Sequence, residues 1–369
     1  MTTLDDVAAR AGVSTATVSR ALTRPNMVAA ATLERVQRAV QELGYHHNAA
    51  ARALATGHTG LIGIAVPTLA SSYYLPLISG AQARAEASGY EIVIVDSQGS
   101  EPREATLLAR LTNRVDALLL AGSRLSDAAI RDIAETLPVA TFNRAIPGVS
   151  ATVIEVTQAF SELGRFLREQ GHQRIAYIGG PPGSATDARR MHALRSAFID
   201  DSGDHDPPAT SPLNSTQRSV DILGPVAPSF SAGGDLAEQI TESGDTAVVA
   251  YNSAVALGLM HRLGTLGVRV PEELVLATGD DLVGRALEIS HFVTVSQPMA
   301  EAGAHLVDLA LQQLSTSGSS RQSKFPDPDA ASRESQPDCE DATSTDLHFT
   351  LHAVANVPST GGGNELVTR

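Results

Sequence analysis

Between residues 4 and 11 the apolar side chains Leu4, Val7, Ala8 and Ala11 recur three and four positions apart, the period of a helix with one buried stripe. Thr3 stands where an N-cap belongs, and Asp5 and Asp6 occupy the first turn, where acidic groups oppose the helix dipole. Gly12 is the predicted stop. Ser14 then caps a second helix, predicted over 15–23, whose Val18, Ala21 and Leu22 face the first. A third helix is predicted over 31–43, with Leu33, Val36, Val40 and Leu43 on one face and Gly44 at its end. Two short helices across a Gly-containing turn, sharing one small core with a third, form a helix-turn-helix. The Ala-rich stretch 48–57 favours helix but has few apolar anchors and is short. Because nucleation is costly, it is predicted to be helical only when something supports it.

From Leu61 the pattern changes to short apolar runs separated by longer helical stretches. The runs lie at 61–66, 91–96, 115–122, 138–143, 174–180, 246–252 and 273–281, the alternation of βαβ units and a parallel sheet. Segments such as 75–88 and 159–170 are long enough to be crossover helices. Two sets of these units, before and after about residue 160, predict two similar subdomains with a cleft between them. Segments 201–232 and 315–346, rich in Ser, Pro and Asp, break the pattern and are predicted to be mobile. The alternation at 347–351 then returns as a strand to the core. The predicted organisation is a head at 1–47, a hinge at 48–59, a two-subdomain core at 60–358 carrying the insertion 315–346, and a tail at 359–369. In fold class this is an all-α helix-turn-helix head plus hinge helix, followed by an α/β core of two similar parallel-sheet subdomains.

The chain's 369 residues leave room for this organisation. Hydrophobic residues make up 43% of the chain, yet no apolar run reaches the roughly 18 residues a bilayer span needs. The opening MTTLDDVAAR places Asp5 and Asp6 where a secretory signal would be basic and then apolar, so the expectation is a cytoplasmic protein. Cys339 alone makes neither an internal disulfide nor a cysteine zinc cluster. The net charge of −14 argues against nucleic-acid binding over the whole surface, but it hides an asymmetry. Residues 1–60 hold six arginines against four acidic residues, whereas the remainder holds 21 basic and 37 acidic side chains. The head is a separate electrostatic object.

A short helical hairpin also occurs as plain structure. What favours DNA binding is the start of the second helix, where Thr15, Ala16, Thr17, Ser19 and Arg20 set small hydrogen-bonding and apolar groups and a guanidinium at the end that meets base edges. Arginine pairs bidentately with guanine, and an alanine methyl contacts thymine. Thr3–Ala8 as Thr-Leu-Asp-Asp-Val-Ala, then Ala11-Gly12-Val13-Ser14, Ala16-Thr17-Val18-Ser19-Arg20-Ala21-Leu22, Glu42-Leu43-Gly44-Tyr45, and Asn48 with Ala51-Arg52-Ala53-Leu54-Ala55, resemble the head of the lactose-repressor/galactose-repressor (LacI/GalR) family. The resemblance covers nearly all of residues 3–64. It implies DNA contacts from Thr3, Ser14, Thr15, Ala16, Thr17, Ser19, Arg20, Thr32, Tyr45, Asn48, Ala51 and Leu54. It also implies a hinge helix at 48–56 that folds on DNA when two subunits pair, with Leu54 as the wedge in a bent minor groove. The implied partners are double-stranded DNA with a near-palindromic operator and a second copy of the chain, with no membrane. At 28–33 the chain departs from the family, reading Val-Ala-Ala-Ala-Thr-Leu where a capping serine and a Thr-Arg pair are usual.

The remainder resembles that family's effector core, similar to periplasmic sugar-binding proteins, through 60–69, 171–180, 267–271 and Val295-Ser296-Gln297-Pro298. Ligands sit beyond the carboxyl ends of strands in such sheets, and those ends carry Tyr73, Tyr74, Asp96, Asn143, Arg144, Arg190, Asn252 and Asp280. The resemblance puts a ligand-holding arginine at Arg190, an acidic contact at Asp280 and an aromatic at Tyr73. The candidate ligand set is Tyr73, Asp96, Arg144, Arg190, Asn252 and Asp280, for a small polar, sugar-like effector, with no cofactor and no metal. Thr68, Ser71-Ser72-Tyr73, Glu155-Val156, Asn252-Ser253 and Thr278-Gly279-Asp280-Asp281 depart from the usual pocket edge, which leaves the effector class open. Two other readings stand beside the effector-controlled repressor: a regulator whose core no longer responds to an effector, and an enzyme on the same scaffold. The second lacks a nucleophile-base set, because adjacent Asp280 and Asp281 on a strand end point apart. Gly179-Gly180-Pro181-Pro182-Gly183 matches neither dinucleotide nor P-loop spacing and reads as a cleft-rim loop, and His46-His47 fit a DNA-facing surface better than a metal site.

Overall fold

The computed structural model describes residues 2–23, 27–45, 58–69, 71–182, 184–199, 218–280, 292–322, 348–352 and 354–356. The chain divides into two compact units, Met1–Thr59 and Gly60–Arg369.

In the first unit, α1 (Leu4–Ala11), α2 (Thr15–Thr23) and α3 (Ala30–Leu43) enclose Val7, Val18 and Val36, all fully buried, with Ala8, Ala11, Ala21 and Ala39 between them. Such small side chains let the helices approach closely. Each helix of the turn is capped by its own neighbours. Thr3 and Asp6 form a capping box, the Thr3 amide donating to the Asp6 carboxylate at 2.8 Å and the Thr3 hydroxyl accepting from the Asp6 amide at 3.3 Å. Gly12 closes α1 at φ +65°, a left-handed conformation in which glycine has no steric penalty. Ser14 Oγ accepts from the Thr17 amide at 3.2 Å at the start of α2. The N-cap of α3 is Ala29, which makes no side-chain bond to the helix. Its backbone is already extended, so Ala29→Ser should supply the missing acceptor and stabilise the head by about 1 kcal/mol. Chemical denaturation of the head checks this.

The second unit holds two six-stranded sheets of like topology. The first contains β1 (Leu61–Val66), β2 (Glu91–Asp96), β3 (Ala117–Ala121), β4 (Val139–Phe142) and β5 (Ser150–Glu155). With β11 (His348–His352) they run in the order β11-β5-β4-β3-β1-β2, all parallel. The second contains β6 (Arg174–Ile178), β7 (Ser219–Leu223), β8 (Ala247–Ala250), β9 (Val275–Thr278) and β10 (Phe292–Ser296). With β12 (Val354–Asn356) the order is β12-β10-β9-β8-β6-β7, and only β12 is antiparallel to its neighbour. The central strands are apolar on both faces, as helix-covered parallel strands must be. The first subdomain carries α4 (Leu75–Ala87), α5 (Glu101–Leu111) and α6 (Asp127–Ala134); the second carries α7 (Thr157–Glu169), α8 (Ala185–Ile199), α9 (Phe230–Asp235), α10 (Ala237–Ser243) and α11 (Ser253–Thr265).

Helix α12 (Met299–Gln322) follows a strand of the second sheet yet packs on α4 of the first subdomain. Glycine makes that return possible. A Cβ on Gly80 would lie 2.0 Å from the Ala300 carbonyl oxygen, and one on Gly303 would lie 2.0 Å from the Leu77 carbonyl oxygen, so the two backbones touch. The chain therefore passes between subdomains after β5, after β10 and between β11 and β12.

Several expectations need correction. β5, β7, β10 and β12 lie outside the predicted runs. Segment 201–232 is not uniformly irregular, because β7 extends the ladder of β6 and α9 starts at an N-cap, Ser229. Its apolar residues are too few to show locally; hydrogen bonds to β6 define the strand. Likewise residues 315–322 are the last turns of α12 rather than part of an insertion. The hinge 48–57, residues 201–217 and 323–346, and the tail 359–369 lie outside the described residues.

Candidate nucleic-acid interface and ligand cavity

Burial of Val18 and Ala21 turns the opposite face of α2 outward, leaving Ala16 and Arg20 exposed and Thr15, Thr17 and Ser19 half-buried. Arg20 makes no ion pair among the described residues, while Arg10 is paired with Glu42 across α1 and α3. Thr3 and Ser14 are occupied as caps, and Thr17 shares a 2.9 Å hydroxyl contact with Ser14. Thr32 sits half-buried on α3, and Tyr45 half-buried just beyond it. Asn48, Ala51 and Leu54, with His46 and His47, lie outside the described residues.

In the core unit, β1 is flanked by β2 and β3, and β6 by β7 and β8, so the chain reverses its winding direction at β1 and at β6. Crevices open beyond the carboxyl ends of strands at such points. A cavity of about 460 Å³ lies there, lined by segments following β1, β3 and β4 of one sheet and β6, β7 and β8 of the other. That volume suits a small polar molecule. Another hollow, of about 510 Å³, lies between α9 and α11 beside Phe230, His261 and the Glu238–Arg262 ion pair, away from the strand ends.

Arg190, on α8, is only 3% exposed. Its Nη1 donates to the Tyr251 carbonyl oxygen at 3.5 Å, and its guanidinium lies 5.5 Å from the Phe160 ring centre and 5.7 Å from that of Tyr251. Its Nε has no hydrogen-bond partner among the described residues. A buried donor left unpaired costs about 1–3 kcal/mol, so its position on the cavity wall points to a polar partner from solvent. Tyr73 also lines the cavity, its hydroxyl donating to Gln297 Oε1 at 3.1 Å, and Gln297 Nε2 donates to the Gly279 carbonyl oxygen at 2.6 Å. A hydrogen-bonded chain thus links the start of α4 to the end of β9 through the connection after β10.

Of the six candidate ligand residues, Tyr73, Arg144, Arg190 and Asn252 line the cavity. Arg144 is tied to the Asp127 carboxylate and to the carbonyls of Ser123 and Leu125. Asn252 caps α11, its Oδ1 accepting from the Val255 amide at 3.0 Å. Asp96 and Asp280 are not in the wall. Asp96 accepts from the amides of Leu69 at 3.3 Å and Gln98 at 2.8 Å, which fixes the loops after β1 and β2. Asp280, 5% exposed, accepts from the Ser253 amide at 3.2 Å and from the Ser253 hydroxyl at the N-terminus of α11, where a carboxylate meets unpaired amides and the positive end of the dipole. Tyr74 and Asn143, named from the strand ends, line the wall as well. Arg124 and Tyr251 were not singled out from the sequence; both stand at the ends of predicted strands, directly after Ser123 and directly before Asn252.

Burial pushes the Tyr73 hydroxyl up to about 12 and also raises those of Tyr74, Tyr177 and Tyr251, so all four are protonated donors at neutral pH. A phenol whose folded pKa exceeds its unfolded value of about 10 contributes stability that is complete below that value and is lost as pH rises. For Tyr73 the window runs from about 10 to about 12. An ultraviolet pH titration should therefore show these phenols ionising only together with loss of the core's near-ultraviolet circular dichroism. Their ionisation in a still-folded core would contradict the assignment.

Comparison with known proteins follows the same division of the chain. Residues 3–48 match the family described as bacterial regulatory proteins, lacI family, and residues 165–336 match the periplasmic binding protein-like domain. The HTH-type transcriptional repressor CytR of Escherichia coli (strain K12) is 30% identical over 319 residues, which is 85% of this chain and 89% of that protein. The HTH-type transcriptional repressor PurR of Vibrio atlanticus is 28% identical over 85% of this chain and 92% of its own. Among solved structures, the lac repressor dimer bound to operator and the anti-inducer ONPF superposes with a TM-score of 0.71 at 23% identity, over 96% of this chain and 97% of that one. The transcriptional regulator CelR in complex with cellobiose superposes with a TM-score of 0.60 at 23% identity, over 97% and 99%. No described helix is long and apolar enough to cross a membrane.

Proposed function

The chain belongs to the lacI family of bacterial regulatory proteins, and from that premise we propose that it is a transcriptional repressor whose grip on operator DNA is set by a small polar effector in the core cavity. The observation that carries the effector half of this reading is Arg190, a buried guanidinium with an unpartnered Nε in the wall of a cavity built by both subdomains. In a core without an effector that buried donor would stay unpaired. Effector control requires that the ligand bind two core conformations unequally, and a cavity shared by two subdomains changes shape whenever they move.

On the DNA side, Ala16 and Arg20 on the exposed face of α2 are the base-reading candidates, with Thr15, Thr17, Ser19, Thr32 and Tyr45 around them and Thr3 and Ser14 holding the helices that present them. Asn48, Ala51 and Leu54 are proposed as hinge contacts on the resemblance of their sequence alone. The lac repressor binds its operator as a dimer, and two copies of this chain on a near-palindromic site follow the same geometry. Its place is then the cytoplasm, with the DNA. CelR's cellobiose complex supports a carbohydrate-sized ligand here. The work is regulation, as in the curated relatives, rather than catalysis.

Selection of bound genomic fragments identifies the operator, and titration of small metabolites against that operator tests the control. Arg20→Ala should weaken specific binding by about 1–3 kcal/mol, the worth of one bidentate base contact, and leave binding to random duplex much less affected. Equal loss on both duplexes would make Arg20 a phosphate contact. Operator affinity that no metabolite changes would favour a regulator without effector response.

A further inference from the structure

We propose that the effector is an anion, a small polar molecule whose phosphate or carboxylate group is held between Arg124 of the first subdomain and Arg190 of the second. This rests on the effector-controlled reading above and narrows it to one class of ligand. Among the described residues the wall contains three arginines, Arg124, Arg144 and Arg190, and no carboxylate. Among the described residues only Arg144 of the three makes an ion pair, with Asp127. Arg124 and Arg190 make no ion pair among the described residues, and Arg190 is buried with Nε unpartnered. The Asp187 charge acts on Arg190 without closing an ion pair on it, and a buried guanidinium gains further from a counter-charge that arrives from outside.

The acidic side chains that surround the cavity are turned to other donors. Asp187 accepts from the Tyr177 hydroxyl at 2.5 Å and from the Gly180 amide at 3.0 Å, and Asp280 accepts from Ser253. Glu104, 1% exposed, accepts from the backbone amide of Arg124 at 2.9 Å and so holds the loop that carries that arginine. The phenols of Tyr73 and Tyr74, which stay protonated in their buried setting, add donors, beside serine, threonine and asparagine side chains that both donate and accept. The Arg124 and Arg190 charges both act on Tyr74 and Tyr251, so the two cations from opposite subdomains face one region. A neutral polyol needs acceptors as much as donors; a phosphate or carboxylate needs donors and positive charge, and the planar guanidinium fork matches either. An anion bridging the two arginines binds best whichever arrangement of the subdomains brings them together, and such differential affinity is what control of DNA binding requires.

The test uses the full chain and thermal unfolding at constant ionic strength. Inorganic phosphate is the class probe, compared with chloride. Glucose is paired with gluconate, and ribose with its phosphate monoester. Phosphate should raise the melting temperature, and Arg124→Gln and Arg190→Gln should each weaken that effect at least tenfold, whereas Arg110→Gln, an exposed arginine on α5, should not. At least one anionic member should bind tenfold or more tightly than its neutral counterpart and lose that preference in Arg124→Gln. The proposal is overturned if phosphate acts no differently from chloride, if its effect survives both substitutions, or if a neutral sugar binds as tightly as its anionic partner. In the last case a shift in operator affinity by the neutral sugar would leave the regulatory reading standing while the anion assignment falls.

Discussion

Arg190→Ala is expected to weaken effector binding by about 1.5–3 kcal/mol, the range for hydrogen bonds to a charged group, and to abolish the effector's influence on operator affinity. The ligand-free protein should tell a different story. Among the described residues Arg190 makes a long hydrogen bond to the Tyr251 carbonyl, interacts with the Tyr73 hydroxyl and the Asp187 charge, and keeps Nε unpartnered, so most of what it returns to the unliganded fold is these interactions and its ring contacts with Phe160 and Tyr251. Those contacts are worth on the order of 1 kcal/mol each, against the cost of desolvating the guanidinium. Stability without ligand should therefore change by no more than about 1 kcal/mol, or a few degrees in Tm for a unit of this size. Calorimetric titration and thermal unfolding of the same variant separate the two effects. A large loss of unliganded stability with unchanged ligand affinity would assign Arg190 to the fold instead.

Asp280→Ala is expected to do the reverse. The carboxylate accepts from both the amide and the hydroxyl of Ser253 at the start of α11, in a buried setting, and its removal strands a helix N-terminal amide beside an emptied space. Losing charge-assisted bonds and leaving a buried donor unpaired should destabilise the core by about 3 kcal/mol, read as a lower denaturant midpoint at unchanged slope. Asp280→Asn, which keeps an acceptor, should recover part of the loss. Ligand affinity of the folded fraction should change little, because Asp280 is not part of the cavity wall. A variant with normal stability and no effector binding would restore the ligand role that the sequence resemblance gives this residue.

The contrast between these two residues shows where sequence reasoning succeeds. Asp280 follows β9 and Arg190 lies on α8, and the resemblance of the sequence gives both a ligand role. What separates them is a partner far along the chain: Ser253 captures the Asp280 carboxylate, while no described group captures Arg190 Nε. Arg124 was overlooked for a related reason, since its importance lies in the absence of an ion-pair partner, a property no linear pattern displays. The strands divide in the same way. β1, β3 and β8 are legible because both faces are covered and the runs are apolar throughout, and β6 is so after its exposed Arg174. β5 mixes Ser, Thr and Glu with its apolar residues, and β7 has only part-buried positions beside an exposed Ile222; they are strands because β4 and β6 offer them hydrogen bonds.

The sequence by itself determined what acts within one helical turn or one strand: the caps at Thr3, Gly12 and Ser14, the buried stripe of each head helix, the α/β alternation and the basic head on an acidic chain. These follow from interactions between residues a few positions apart, where spacing and chemistry are the same thing. Tertiary structure alone decided which strands join which sheet, how α12 returns to the first subdomain through the backbone contacts at Gly80 and Gly303, and which strand-end side chains remain for a ligand once Asp96, Arg144 and Asp280 have found partners. Those outcomes depend on groups brought together from distant parts of the chain, where burial makes every polar atom compete for a partner, and the residue left over after that competition is the one available to bind.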